Sequence, residues 1–191
     1  NIMKYYNQYK MNSYTLQSYA GNAELVFIYP ESFSSFKKYK TIVYFHGLYF
    51  GPINGYLSYL QSLVNLHNCL AILVDSYSLR NLRNTVNYCP NISNVFRPYD
   101  VIYSLTFTKQ LRFVDTKNIH VIGDSGGGKA IMEAISTKHT LKYLKFHNQT
   151  FWKNIKYHLV CPNCSLKLNS YILGWPTNED YIVNIYASKN D

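Results

Sequence analysis

The sequence predicts an α/β protein built on a mostly parallel sheet with helices on both faces. Three observations carry that prediction. Continuous apolar runs, "KTIVYFHG" (40–47), "CLAILVDS" (69–76) and "IHVIGD" (119–124), read as strands buried on both faces. Stretches of helical period stand between them, as strand–helix alternation requires. Glycines and polar residues collect just after these runs, where open α/β sheets place their chemistry. At 191 residues the chain suits a single domain, 1–191, with a substantial core.

The elements follow in order. "SYTLQSYA" (13–20) and "AELVFIYP" (24–30) read as a hairpin joined by a turn at Gly21-Asn22. The run at 40–47 is the next strand. "YLSYLQSLVNLH" (56–67) puts Leu57, Leu60, Leu63, Val64 and His67 on one helical stripe. The strand at 69–76 is followed by a loop of about 20 residues, long enough to suggest function or disorder. "RPYDVIYSLTFTKQLRF" (97–113) reads as a helix with Pro98 in its first turn. The strand at 119–124 runs into a helix at 127–138, with Ala130, Ile131, Ala134 and Ile135 inward. "KYHLVCP" (156–162) and "DYIVNIYAS" (180–188) read as two further strands.

Composition sets the outer bounds. Hydrophobic residues make up 47% and aromatics 17%, so the chain can fold around a core. The net charge of +9 comes from scattered Lys and Arg and reads as a solvated basic surface, not a nucleic-acid footprint. No apolar run approaches the ~20 residues of a membrane span, and the polar opening "NIMKYYNQYK" carries no signal peptide. The expected location is cytoplasmic by default, or exported if a leader was removed. Four cysteines are too few for a disulfide framework. Cys69 reads as a buried thiol. Cys161 and Cys164 form a lone "CPNC", lacking the second pair of a zinc site, so neither a metal nor another cofactor is expected.

The stretch "IHVIGDSGGGKAIMEAIS" (119–136) fits two motifs. Gly123, Gly128 and Lys129 match a phosphate-binding loop, but Ala130 stands where a Ser or Thr would hold magnesium. Gly123-Asp124-Ser125-Gly126-Gly127 instead matches the G-x-S-x-G elbow, which presents a serine nucleophile on a sharp strand-to-helix turn. "GDSGG" also matches the serine segment of chymotrypsin-like proteases, which are all-β, whereas a helical pattern follows here. The elbow requires two backbone amides for an oxyanion. Gly126 supplies one. "FHGLYFG" (45–51) is placed to supply the other through Leu48, with Tyr49 as the alternative.

Taken together, "VYFHGLYFG", "AILVDSYSLRN", "RPYDVIYSL", "DTKNIHVIGDSGGG", "LVCPNC" and "VNIYASKND" resemble, in order and spacing, segments of the dienelactone hydrolase family of α/β-hydrolases. The resemblance implies an α/β-hydrolase fold and acyl transfer from a small-molecule ester or lactone. It places Ser125 as nucleophile and Asp191 as acid. Arg80 is a candidate for binding a substrate carboxylate, and Tyr49 is a further substrate-binding candidate. The family's histidine follows the acid, whereas this sequence stops at Asp191. The expectation is therefore a C-terminally truncated fold with impaired competence, or a noncatalytic hydrolase-like binding protein. An open sheet edge that pairs two copies is also expected.

Overall fold

The computed structural model describes residues 11–47, 53–82, 90–135, 155–160 and 182–186. They contain β1 (Met11–Ser18), β2 (Gly21–Ile28), β3 (Tyr39–Phe45), β4 (Leu70–Asp75), β5 (Val114–Asp124), β6 (Ile155–Val160) and β7 (Ile182–Tyr186). These strands form one sheet in the order β1-β2-β4-β3-β5-β6-β7. β2 runs antiparallel to both its neighbours, and the pairings from β4 through β7 are parallel. Between strands lie α1 (Ile53–His67), α2 (Pro90–Gln110) and α3 (Gly126–Ile135).

The sheet is covered on both faces, which explains why its central strands read as unbroken apolar runs. On β4, Ile72 and Val74 join the cluster packed with Val101, Leu105 and Ile131 from α2 and α3. Ala71 and Leu73, pointing the other way, join Leu57, Leu60 and Val64 of α1. Alternation along one strand thus feeds two separate cores. Cys69 is a buried free thiol, and burial pushes its pKa up.

The structure moves several boundaries. The hairpin turns at Tyr19-Ala20, since Ser18 already faces Gly21; Gly21 and Asn22 belong to β2. Ala20 and Gly21 both take positive φ, +56° and +107°, so the glycine serves the exit from the turn, not its centre. On the α1 stripe His67 is exposed, while Leu57, Leu60 and Val64 are buried. Helix α2 begins at Pro90 and ends at Gln110, which puts Pro98 in its interior. The first-turn proline is real but is Pro90. Phe96, Arg97, Pro98 and Asp100 are all buried, so tertiary packing offsets the backbone hydrogen bond that Pro98 cannot donate.

Candidate active site

Strand β5 ends at Asp124 and α3 begins at Gly126, leaving Ser125 alone in the corner. Its φ is +46°, a region that costs a residue with a Cβ and marks constrained turns. The corner is pinned on both sides. The Ser125 amide donates to the carbonyl of Val160 at the end of β6, and the Ser125 carbonyl accepts from the Lys129 amide. Ser125 is therefore also the N-cap of α3, so its side chain leaves from the end where helix amides are unbonded and partial positive charge collects.

Glycines at 123 and 127 are forced by space. A Cβ on Gly123 would stand 2.5 Å from Ile131 and 2.7 Å from the Gly128 backbone. On Gly127 it would stand 2.1 Å from the Phe45 carbonyl oxygen and 2.7 Å from that of His46. Gly47 borders the same corner. A Cβ there would lie 3.5 Å from the Ser125 Cβ and 3.4 Å from Asp124 Oδ2. The end of β3 and the elbow are thus brought together. Leu48, Tyr49 and Asp191 lie outside the described residues, as do Cys161 and Cys164.

Histidines near this end have other work. His46 is buried, with Nε2 accepting from the Ser76 amide at 3.2 Å and Nδ1 2.6 Å from the Gly47 carbonyl oxygen. That pairing makes Nδ1 the protonated nitrogen and leaves no ring nitrogen for a substrate. His120 and His158 face one another, Nδ1 to Nε2 at 3.1 Å, with rings 8° from parallel. Burial and the neighbouring His158 lower the His120 pKa to about 4. His67 ends α1, and with Lys40, His120 and His158 it lines a cleft of about 360 Å³ on that face of the sheet. Among the described residues no group of three His, Cys, Asp or Glu side chains is placed to hold a metal.

Arg80 is corrected by its surroundings. It follows β4 in a short 3₁₀ turn, Ser78–Arg80. Both its terminal nitrogens donate to Asp100, at 2.9 and 3.0 Å. The guanidinium also donates to the carbonyls of Ser76, Ala20, Tyr19 and Gly21. These bonds occupy all of its donors, so Arg80 ties the hairpin to α2 and is not available to a substrate carboxylate. Lys129, the lysine of the phosphate-loop reading, has Nζ 3.8 Å from Glu133 Oε1 along α3.

Two residues that the motifs did not single out border the elbow. Asp124 is half-buried, which raises its carboxyl pKa against the pull of Arg97. It also borders a cleft of about 480 Å³ with Tyr44, Tyr56, Tyr59, Ile122 and Val160. Arg97 is 2% exposed and donates to the carbonyl of His46. Its sequence signal is its place on the buried stripe Arg97, Val101, Ser104, Leu105 and Thr108, a charge where helical period calls for an apolar side chain.

A family model of steryl acetyl hydrolases matches residues 3–165. The chain belongs to the steryl acetyl hydrolase family. No curated protein matches the chain significantly. Among solved structures, the chain is similar to an esterase from the archaeon Pyrobaculum calidifontis, with TM-score 0.54 and 18% identity over 79% of this chain and 44% of that one. It is similar to carboxyl esterase 2 of the mycorrhizal fungus Tuber melanosporum, with TM-score 0.54 and 19% identity over 82% and 46%. It is also similar to a post-proline cleaving enzyme from Rickettsia typhi, with TM-score 0.59 and 12% identity over 95% and 34%. These likenesses establish the α/β-hydrolase fold. The chain spans less than half the length of each of the three. The resemblance to dienelactone hydrolases reached the same superfamily, and the matching family within it is the steryl acetyl one.

Proposed function

We propose that this chain carries the nucleophile of a serine esterase, which hydrolyses a carboxylic ester by acyl transfer through Ser125. The observation that carries the reading is Ser125 at φ +46° in the corner between β5 and α3. Packing fixes Gly47 and Gly127 against the same corner. In this reading Ser125 Oγ attacks the ester carbonyl and its proton passes to a base. The carbonyl oxygen becomes an oxyanion held by the amides of Gly126 and Leu48, with Tyr49 as the alternative donor. The alcohol leaves with a proton, and water then releases the acid. Asp191 is assigned the acid that orients the base. None of the described histidines is assigned the base, because His46 is committed to backbone, His120 and His158 to one another, and His67 to the far end of α1.

The family match favours an acetyl ester of a bulky, apolar alcohol. The lactone alternative rests on the sequence resemblance to dienelactone hydrolases. Comparing turnover of a steryl acetate with that of a dienelactone separates the two.

Fluorophosphonate labelling, read by intact mass beside Ser125→Ala, tests the nucleophile. Stoichiometric labelling that disappears in the variant is expected. A folded chain that takes up no label would remove the esterase reading and favour the binding-protein alternative. The phosphate-loop alternative requires magnesium-dependent nucleotide binding, and the Lys129–Glu133 pairing supports the expectation that a titration shows none.

A further inference from the structure

Arg97 is a buried charge whose presence the fold alone does not explain. Its guanidinium donates to the His46 carbonyl and, at 3.4 Å, to the Tyr77 hydroxyl. It stands 5.3 Å from the centre of the Tyr77 ring. Among the described residues its buried Nε has no hydrogen-bond partner. Among the described residues no carboxylate lies within ion-pair distance of it, whereas Arg80 has Asp100. Burying a cation that has no ion pair at contact distance among the described residues costs on the order of several kcal/mol, so a leucine on this stripe would hold α2 to the sheet more cheaply. The cost is tied to one place, the peptide that joins His46 to Gly47.

That peptide is held from two directions. From α3, Gly127 comes so close that a Cβ would overlap the Phe45 and His46 carbonyls. From α2, Arg97 bonds the His46 carbonyl oxygen. The next residue, Gly47, is the one that borders Ser125 and Asp124. A carbonyl fixed at residue 46 fixes the plane of the peptide that carries the Gly47 amide. Asp124 is the nearby anion, and Arg97 draws its raised pKa back down.

We infer that Arg97 is a positioning residue, which clamps the His46 carbonyl and so holds Gly47 at the place where it borders Ser125 and Asp124. The inference deepens the esterase reading and rests on it for its catalytic consequence, while the clamp itself is a structural claim. Two measurements separate them. In Arg97→Met, the fluorophosphonate inactivation rate constant is expected to fall by about tenfold or more, as misplacement of a reacting geometry does, with initial binding changed by less than about twofold. Arg97→Lys, which keeps a donor, is expected to recover part of the rate. Hydrogen exchange of the segment 45–50 should quicken in Arg97→Met, while the β1–β2 hairpin exchanges as before. A wild-type labelling rate in Arg97→Met overturns the inference, and so does exchange in 45–50 that is unchanged or quickens equally everywhere. If wild type takes no label but exchange quickens locally, the esterase reading falls and the clamp stands.

Discussion

Ser125 shows how one residue trades stability for geometry. A left-handed φ costs a non-glycine residue about 1–2 kcal/mol, and the elbow imposes φ +46° there. Ser125→Gly is therefore expected to raise stability by about 1 kcal/mol in urea titration, while abolishing the fluorophosphonate label. A stability loss would mean that contacts of the hydroxyl outweigh the strain. The geometry of the elbow was legible in the sequence because its demands are local. Gly123 and Gly127 are the only residue type that fits where backbone and Ile131 crowd them, and that demand is written as a motif. Arg97 was not legible, because its meaning depends on a carbonyl 51 residues earlier in the chain.

At the scale of elements, the Arg80–Asp100 pair fastens the hairpin, the 3₁₀ turn and α2 together. The two side chains are 5% and 0% exposed. Ser18 also donates to Asp100 at 2.5 Å. Burial pushes the Asp100 carboxyl above its ordinary pKa, against the hydrogen bonds and charge of Arg80. Removing one member of a buried pair strands the other, so Asp100→Ala should cost about 3–5 kcal/mol, measured by urea unfolding. An effect under about 1 kcal/mol would mean that the pair behaves as an exposed one. The same pair explains why Arg80 misled a reading based on its position after β4. Sequence placed it correctly at the carboxyl end of a strand, but the partner that neutralises it lies on α2, 20 residues later. The Pro98 boundary failed for a related reason, since the buried residues Phe96, Arg97, Pro98 and Asp100 override a local breaker signal.

For the whole molecule, the histidine pair on the α1 face sets an acid limit. His120 is drawn down to about pKa 4 by burial, by His158 and Lys156 on β6, by Lys40 on β3, and by His67 on α1. His158 is lowered as well, by burial and Lys156. An unfolded histidine titrates near pKa 6.5, so below that value the unfolded chain binds a proton that the folded chain refuses. Stability contributed by His120 is thus complete above about pH 6.5 and is lost as pH falls toward about 4. Its partial exposure screens the effect to on the order of 1 kcal/mol. His120→Asn should flatten the stability–pH profile over that window. A profile identical to wild type would show that the pair does not govern it.

What the sequence determined by itself was the layered α/β class, the strand series and the elbow, because each follows from periodicity or from a residue type that local backbone geometry demands. Tertiary structure decided the rest. It set the strand order β1-β2-β4-β3-β5-β6-β7, which brings Gly47 against Ser125. It turned Arg80 into a fastening and Arg97 into a clamp, and it committed His46 to the backbone. The physical reason is the same in each case. Periodicity and steric fit act over a few residues, whereas the partner that neutralises a charge or accepts a proton is chosen by packing across the sheet.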